Sequence, residues 1–306
     1  MIPKIQKNRD NYFFNEFFYD RARDAMFDIV NNLNKLGFKD IFIPGYIGWS
    51  PKEGSGIFDP INSINNLTRH YYLMTKNLYI DIDYLQKNIQ EHSILLVVNY
   101  FGFRDPYLEE IIKFAHEKGC VVIEDNAHGF YTYHLTRKLE SDFSFFSLHK
   151  MFPFEKGGSF ILNNNKYRNL PFTGATSPLN NPYQYDIYSI AQKRKENFKL
   201  LYNLLEEHSE FLRPLKSTKD ILNNVPQTFP IVLLQGDRDL VYEKMNSMGY
   251  GVVSLYHTLI DELQNEKYAE AVFLSKNIMN LPLHQDVNSL EYSKMISTLI
   301  NCIKEN

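Results

Sequence analysis

Cysteine is nearly absent: Cys120 and Cys302 are the only two in 306 residues, far apart and outside any CxxC or Cys/His spacing. A disulfide framework and a structural zinc are therefore excluded as the basis of the fold, no metal site is expected, and a reducing, cytoplasmic compartment is the natural setting. Long apolar runs are missing too. No stretch of about 18 residues is uniformly apolar, and the opening MIPKIQKNRD has no apolar core of the signal-peptide kind, so neither a membrane span nor export is expected. Charge of one sign is also lacking, since 33 basic residues meet 36 acidic ones for a net −3 without a long block of either. Nucleic acid and membrane surfaces are poor partners for such a chain, and a small-molecule ligand is expected.

What is present is apolar material, 44% of the chain, enough for one large and one smaller domain. From about residue 20 to 163, short apolar runs alternate with amphipathic segments, the signature of an α/β layer with a mostly parallel sheet. The expected strands are Asp40 to Pro44, Ile94 to Tyr100, Cys120 to Glu124, Asp142 to Leu148 and Gly158 to Leu162. Several are apolar on both faces, as strands covered by helices on each side should be. Helical patterns run over Arg23 to Leu36, Ile82 to His92 and Tyr107 to Lys118, the last opened by Asp105-Pro106 and closed by Gly119.

Segment 164 to 186, rich in Asn, Pro and Tyr, reads as a surface loop and a boundary. It divides an expected large domain, 1–186, from a long helix (Ile187 to His208) and a small C-terminal α+β domain within 187–306. In the latter, TFPIVLL and VVSLYH are expected strands, and Arg238 to Met248 and Leu290 to Lys304 expected helices. The aromatic segment Asn11 to Tyr19 (NYFFNEFFY) should pack or form an interface. GSG at 54–56 lacks the strand, third glycine and helix of a dinucleotide-binding turn.

Two stretches carry chemistry. In VVIEDNAHGF (121–130) a buried strand ends on Glu124-Asp125, with His128 three residues after the aspartate. Ligands of open α/β sheets gather at the carboxyl ends of strands, which favours Asp125, the last residue of the run. In FFSLHKMFPFEKGG (145–158) a lysine, Lys150, directly follows an apolar strand. Apolar surroundings disfavour its ammonium form and make the amine nucleophilic. A lysine together with a carboxylate is what pyridoxal 5'-phosphate (PLP) needs, the one for a Schiff base and the other to keep the pyridine nitrogen protonated. Otherwise Asp125 would be an N-cap or surface acid and Lys150 a solvated charge.

The order and spacing of DRARDAM, FIPGYI, VVNYFG, VVIEDNAHG, FSLHK through Gly157-Gly158, and LPLHQ resemble the DegT/DnrJ/StrS family of PLP-dependent sugar aminotransferases, of which this chain would be a shortened, divergent member. The resemblance implies the aspartate-aminotransferase fold (fold type I) and a homodimer that shares its sites. It also implies amino transfer from a donor such as glutamate to a keto sugar nucleotide, usually for bacterial surface polysaccharide. By the same resemblance Lys150 is the Schiff-base lysine and Asp125 the partner of the ring nitrogen. His128 contacts the ring or its phenolic oxygen, and Ala22, Arg23 and Ser147 hold the phosphate.

Either Tyr46 or Trp49 stacks on the ring, and His257 and His284 lie near the substrate or in domain packing. Departures are visible: Ser147 stands three residues before the lysine where the family usually has five, and the segment before the long helix, which ordinarily brings an arginine across the dimer, is short. Two rival expectations remain: a sugar dehydratase of the same family, which has histidine in place of the lysine and is kept open by His149, and a non-catalytic binding or regulatory subunit.

Overall fold

The computed structural model describes residues 15–136, 141–178 and 180–305. The chain order is β1 (Glu16–Tyr19), α1 (Ala22–Lys35), β2 (Asp40–Pro44), α2 (Phe58–Asn62), β3 (Thr68–Tyr72), α3 (Ile82–Asn88), β4 (Ile94–Val98), α4 (Leu108–Glu117), β5 (Val121–Asp125), α5 (Phe130–Thr136), β6 (Phe143–Ser147) and β7 (Gly158–Leu162). Then follow α6 (Ile187–Leu205), β8 (Leu212–Pro214), β9 (Phe229–Leu233), α7 (Arg238–Ser247), α8 (Ala269–Asn277), β10 (Ile278–Leu281) and α9 (Tyr292–Lys304).

Seven strands form one sheet in the order β1-β7-β6-β5-β4-β2-β3. The run from β6 to β3 is parallel, and β7 and β1 add antiparallel at one edge. The sheet is therefore mostly parallel, as expected. Every residue of β5, β6 and β7 is buried, which explains why these strands are continuous apolar runs rather than alternating ones. β8, β9 and β10 make a separate antiparallel sheet, and among the described residues no helix is long and apolar enough to cross a membrane.

Several expectations need adjusting. β4 stops at Val98 because the chain turns into a 3-10 turn at Tyr100–Gly102, with Phe101 left-handed at φ 57°. Only glycine fits at 102, where a Cβ would lie 2.5 Å from the Val225 carbonyl oxygen. α3 ends at Asn88 rather than His92, and the long helix yields to a 3-10 turn after Leu205.

VVSLYH is not a strand. It makes one isolated bridge, Val253 to Asn280, and then turns at Tyr256, whose φ is 61°. Segment 164–186 is a loop with two short 3-10 turns, tied back to β1 by a Phe18 to Thr176 bridge. Residues 11–14 of the aromatic segment lie outside the described residues. Its remainder forms β1, where Phe17 stacks on Phe160 at 4.8 Å.

Candidate active site

The carboxyl ends of β5 and β6 lie side by side, with Asp125 in register with Phe145. The two acids that end β5 have opposite fates. Glu124 is buried against Arg104 at 3.0 Å and accepts a hydrogen bond from Asn99 Nδ2 at 2.8 Å, so its charge is neutralised inside the protein. Asp125 is equally buried but accepts one bond, from the Ala127 backbone N–H at 2.8 Å. Burial raises its pKa to about 6, against the pull of the Ala127 N–H and of the Lys150 charge.

Lys150 ends a 3-10 turn, Leu148–Lys150, that β6 enters directly. The Leu148 N–H donates to the Gly157 carbonyl at 2.9 Å, and Tyr131 donates its hydroxyl to the Met151 carbonyl at 2.9 Å. The turn is thereby fixed from both sides. Lys150 as a residue is exposed, while its Nζ reaches inward to lie 3.0 Å from His128 Nε2. The protein mass around the amine lowers its pKa, opposed by Asp125 and Glu53 and reinforced by Arg23.

His128 is buried, and burial, helped by Lys150, holds its imidazole well below the usual pKa. Its Nδ1 faces the backbone N–H of Phe101 at 3.3 Å and must accept there. The single proton of the neutral ring is then on Nε2, the nitrogen that faces Lys150 Nζ. The left-handed turn at Phe101, where β4 stops early, delivers this N–H.

An anion site adjoins the lysine turn. Helix α1 starts after Arg21 with no side-chain cap, leaving its first N–H groups open. It presses against Gly158 so closely that a Cβ there would fall 2.4 Å from Ala22 N. Gly158 pairs with Ser147, a buried residue whose Oγ is 3.4 Å from His149 Nδ1. Arg23 donates from Nη1 to the Glu53 carbonyl at 3.1 Å, which anchors its guanidinium beside the helix start and leaves its other N–H groups as donors. A long helix with an uncapped start, a glycine cradle and a nearby hydroxyl suit a phosphate. With Asp125 and Lys150 near enough for each to shift the other's pKa, these residues fit PLP.

The other candidates separate. Tyr46 is fully buried and packs edge-on against Tyr100 at 5.5 Å. Trp49 is 42% exposed and is held by its backbone N–H on the Thr258 carbonyl at 2.9 Å. His257 is exposed and donates Nδ1–H to the Ser254 carbonyl at 2.7 Å. The pKa of His284 is lowered by partial burial and by Arg194, and its carbonyl accepts from Asn197 of α6 at 3.2 Å. Among the described residues, no hydrogen bond or ring contact joins either histidine to Asp125, His128 or Lys150.

Three residues that the sequence did not single out border the site: Asn99, Tyr100 and Tyr256. Asn99 donates to both Glu124 and Asn126. Tyr100 donates to the Tyr46 carbonyl, and Tyr256 packs against His128 with ring centroids 6.1 Å apart. The VVNYFG motif pointed toward the first two; for Tyr256 the only signal was its neighbour His257.

Comparison with known proteins agrees with this geometry. The model of the class-V aminotransferase family matches residues 60–155, a span that contains Asp125, His128 and Lys150. No curated protein matches the sequence. A solved structure described as a sugar aminotransferase, Spr1654 of Streptococcus pneumoniae in its PMP form, superposes with a TM-score of 0.71 at 16% identity, covering 95% of this chain and 86% of that one. The aminotransferase PseC of Helicobacter pylori, involved in pseudoaminic acid biosynthesis, gives 0.71 at 15% identity over 95% and 87%. The E. coli GDP-4-keto-6-deoxy-D-mannose-3-dehydratase with bound hydrated PLP gives 0.68 at 16% over 93% and 87%. The chain thus has the fold type I architecture of PLP-dependent, sugar-modifying enzymes.

Proposed function

We propose that this chain is a PLP-dependent aminotransferase that moves an amino group from an amino-acid donor such as glutamate to a keto sugar nucleotide. The observation that carries this reading is the Lys150 amine, hydrogen-bonded to His128 and within electrostatic reach of Asp125 at the end of β5. When bound, PLP supplies an aldehyde that takes up the amino group and a protonated ring that accepts the electron pair released at the substrate carbon.

The chain's own residues have distinct tasks. At pH 7 Asp125, with a pKa of about 6, is mostly ionised, so it can hold a proton on a ring nitrogen opposite it. Burial favours the neutral form of the Lys150 amine, which in that form can accept a proton at Nζ and return it. The Nε2–H of His128 keeps that amine oriented. The Ala22 and Arg23 N–H groups and the Ser147 hydroxyl hold the phosphate.

Dehydration is the less favoured reading, because Lys150 and not His149 reaches His128; the nearer contact of His149 is Ser147. The proposal includes a large domain over 1–186, a small domain over 187–306 and a cytoplasmic homodimer; two buried, free cysteines suit a reducing compartment. The test is to incubate the PLP-loaded protein with single amino acids and measure pyridoxamine phosphate. Conversion by glutamate or another donor is expected, and failure with every donor would favour a binding subunit without turnover.

A further inference from the structure

Resting on that reading of the site, we propose that Tyr256, delivered by the C-terminal segment, forms the aromatic wall against which the cofactor ring packs, in place of Tyr46 or Trp49. Tyr256 is the ring on which the others converge: Tyr100 at 5.3 Å, Tyr46 at 5.5 Å, Phe101 at 6.0 Å and His128 at 6.1 Å, all tilted or edge-on. Tyr46 is shut away at 0% exposure, and Trp49 stands out in solvent. Tyr256 is half-buried and touches the imidazole that holds Lys150. Its hydroxyl lies deep enough for burial, and next for the Asp125 charge, to raise its pKa.

Two backbone features show that the ring is accommodated on purpose. Gly48 clears the space, since a Cβ there would meet Tyr256 Cδ1 at 2.8 Å. Tyr256 itself adopts φ 61°, a left-handed conformation uncommon for a side chain of this size. The segment is latched to the loop after β2 by the Gly48 to Leu259 bridge and by the bonds from Trp49 N–H to Thr258 O and from Ile260 N–H to Ile47 O. The ring is thus held against the loop that follows β2, beside His128.

The experiment is a PLP titration of the full chain carrying Tyr256→Phe, Tyr256→Leu or Tyr256→Ala, reading the dissociation constant and the absorbance maximum of the bound cofactor, with circular dichroism as the fold control. Tyr256→Phe should stay within about threefold of the unaltered protein. Tyr256→Leu and Tyr256→Ala should each weaken binding about tenfold and move the absorbance maximum. Unchanged binding by Tyr256→Ala, or a Leu variant equal to Phe, would overturn the proposal. Tighter binding by Tyr256→Ala would overturn it too, because the ring would then occupy the cofactor's own space.

If the Leu and Ala variants do not fold, Gly48→Ala, which displaces the ring while keeping Tyr256, should weaken binding; no change there would count against the idea. If the unaltered protein takes up no PLP, the reading of the site itself has failed and the role given to Tyr256 falls with it, whereas PLP uptake unaffected by Tyr256→Ala overturns the role alone.

Discussion

Two lysines meet the protein interior in opposite ways. Lys216, just after β8, is 3% exposed. It donates to the Asn77 carbonyl, sits 3.3 Å from the Tyr79 ring centroid and 5.7 Å from that of Phe103, and lies among Asp105 and Asp220. Burial pushes its pKa down to about 7, against the two carboxylates. Lys150 is also shifted down, but the residue is exposed and has a neutral imidazole as its partner. A lowered pKa by itself therefore does not mark a catalytic lysine. What distinguishes Lys150 is access, an imidazole partner at its Nζ, and Asp125 and the uncapped start of α1 alongside.

Breaking the comparison at the lysines themselves should have the largest consequence. Lys150→Ala should slow conversion of PLP to pyridoxamine phosphate by about 10²–10⁴-fold, as expected for loss of the acid/base group, with urea unfolding within about 0.5 kcal/mol of the unaltered chain because the residue is exposed. Lys216→Ala should do the reverse. It empties space beneath Tyr79 and Phe103 and should cost about 2–4 kcal/mol in urea unfolding at about pH 10, where the amine is uncharged in the folded chain, while leaving the PLP dissociation constant unchanged.

The carboxylate sharpens the contrast. Asp125 is raised from 3.8 to about 6 in the folded chain. Between those values the folded state binds the extra proton, so its contribution is favourable at low pH and is lost as pH rises through about 6. Asp125→Asn should therefore stabilise the cofactor-free protein at pH 7 by up to about 3 kcal/mol in urea unfolding, show little gain at pH 3.5, and abolish amino transfer. Stability is given up at this position for a charge that the cofactor needs.

Lys216 has the opposite pH dependence. With a folded pKa of about 7, the unfolded chain binds more protons between pH 7 and about 10, so stability should rise with pH across that window. Lys216→Met should flatten the rise measured by urea unfolding at several pH values, with less than about 1 kcal/mol of change at its upper end.

Much of this could be read from the residues alone where burial imposes a pattern. β2 and β7 fall at their expected ends, and β5 and β6 within one residue, because strands covered on both faces are apolar throughout. β3 (TRHYY) escaped because it is an edge strand whose Thr68, Arg69 and His70 are exposed or half-exposed. β8 is three residues long, and β10 follows α8 without a break. VVSLYH has strand propensity, but Gly249 and Gly251 precede it in left-handed conformations and Tyr256 turns the chain; packing against Gly48 overrides propensity there. At the site, Asp125, His128 and Lys150 stood out by chemistry and order. Tyr256 and the N–H of Phe101 act through tertiary contacts that no local pattern records.

The most direct test is borohydride reduction of the PLP-loaded protein followed by peptide mapping of the labelled lysine. The account predicts a single modified peptide containing Lys150, lost in Lys150→Ala and retained in Lys216→Ala. Label on Lys216 or on scattered surface lysines, or no label at all, would contradict it.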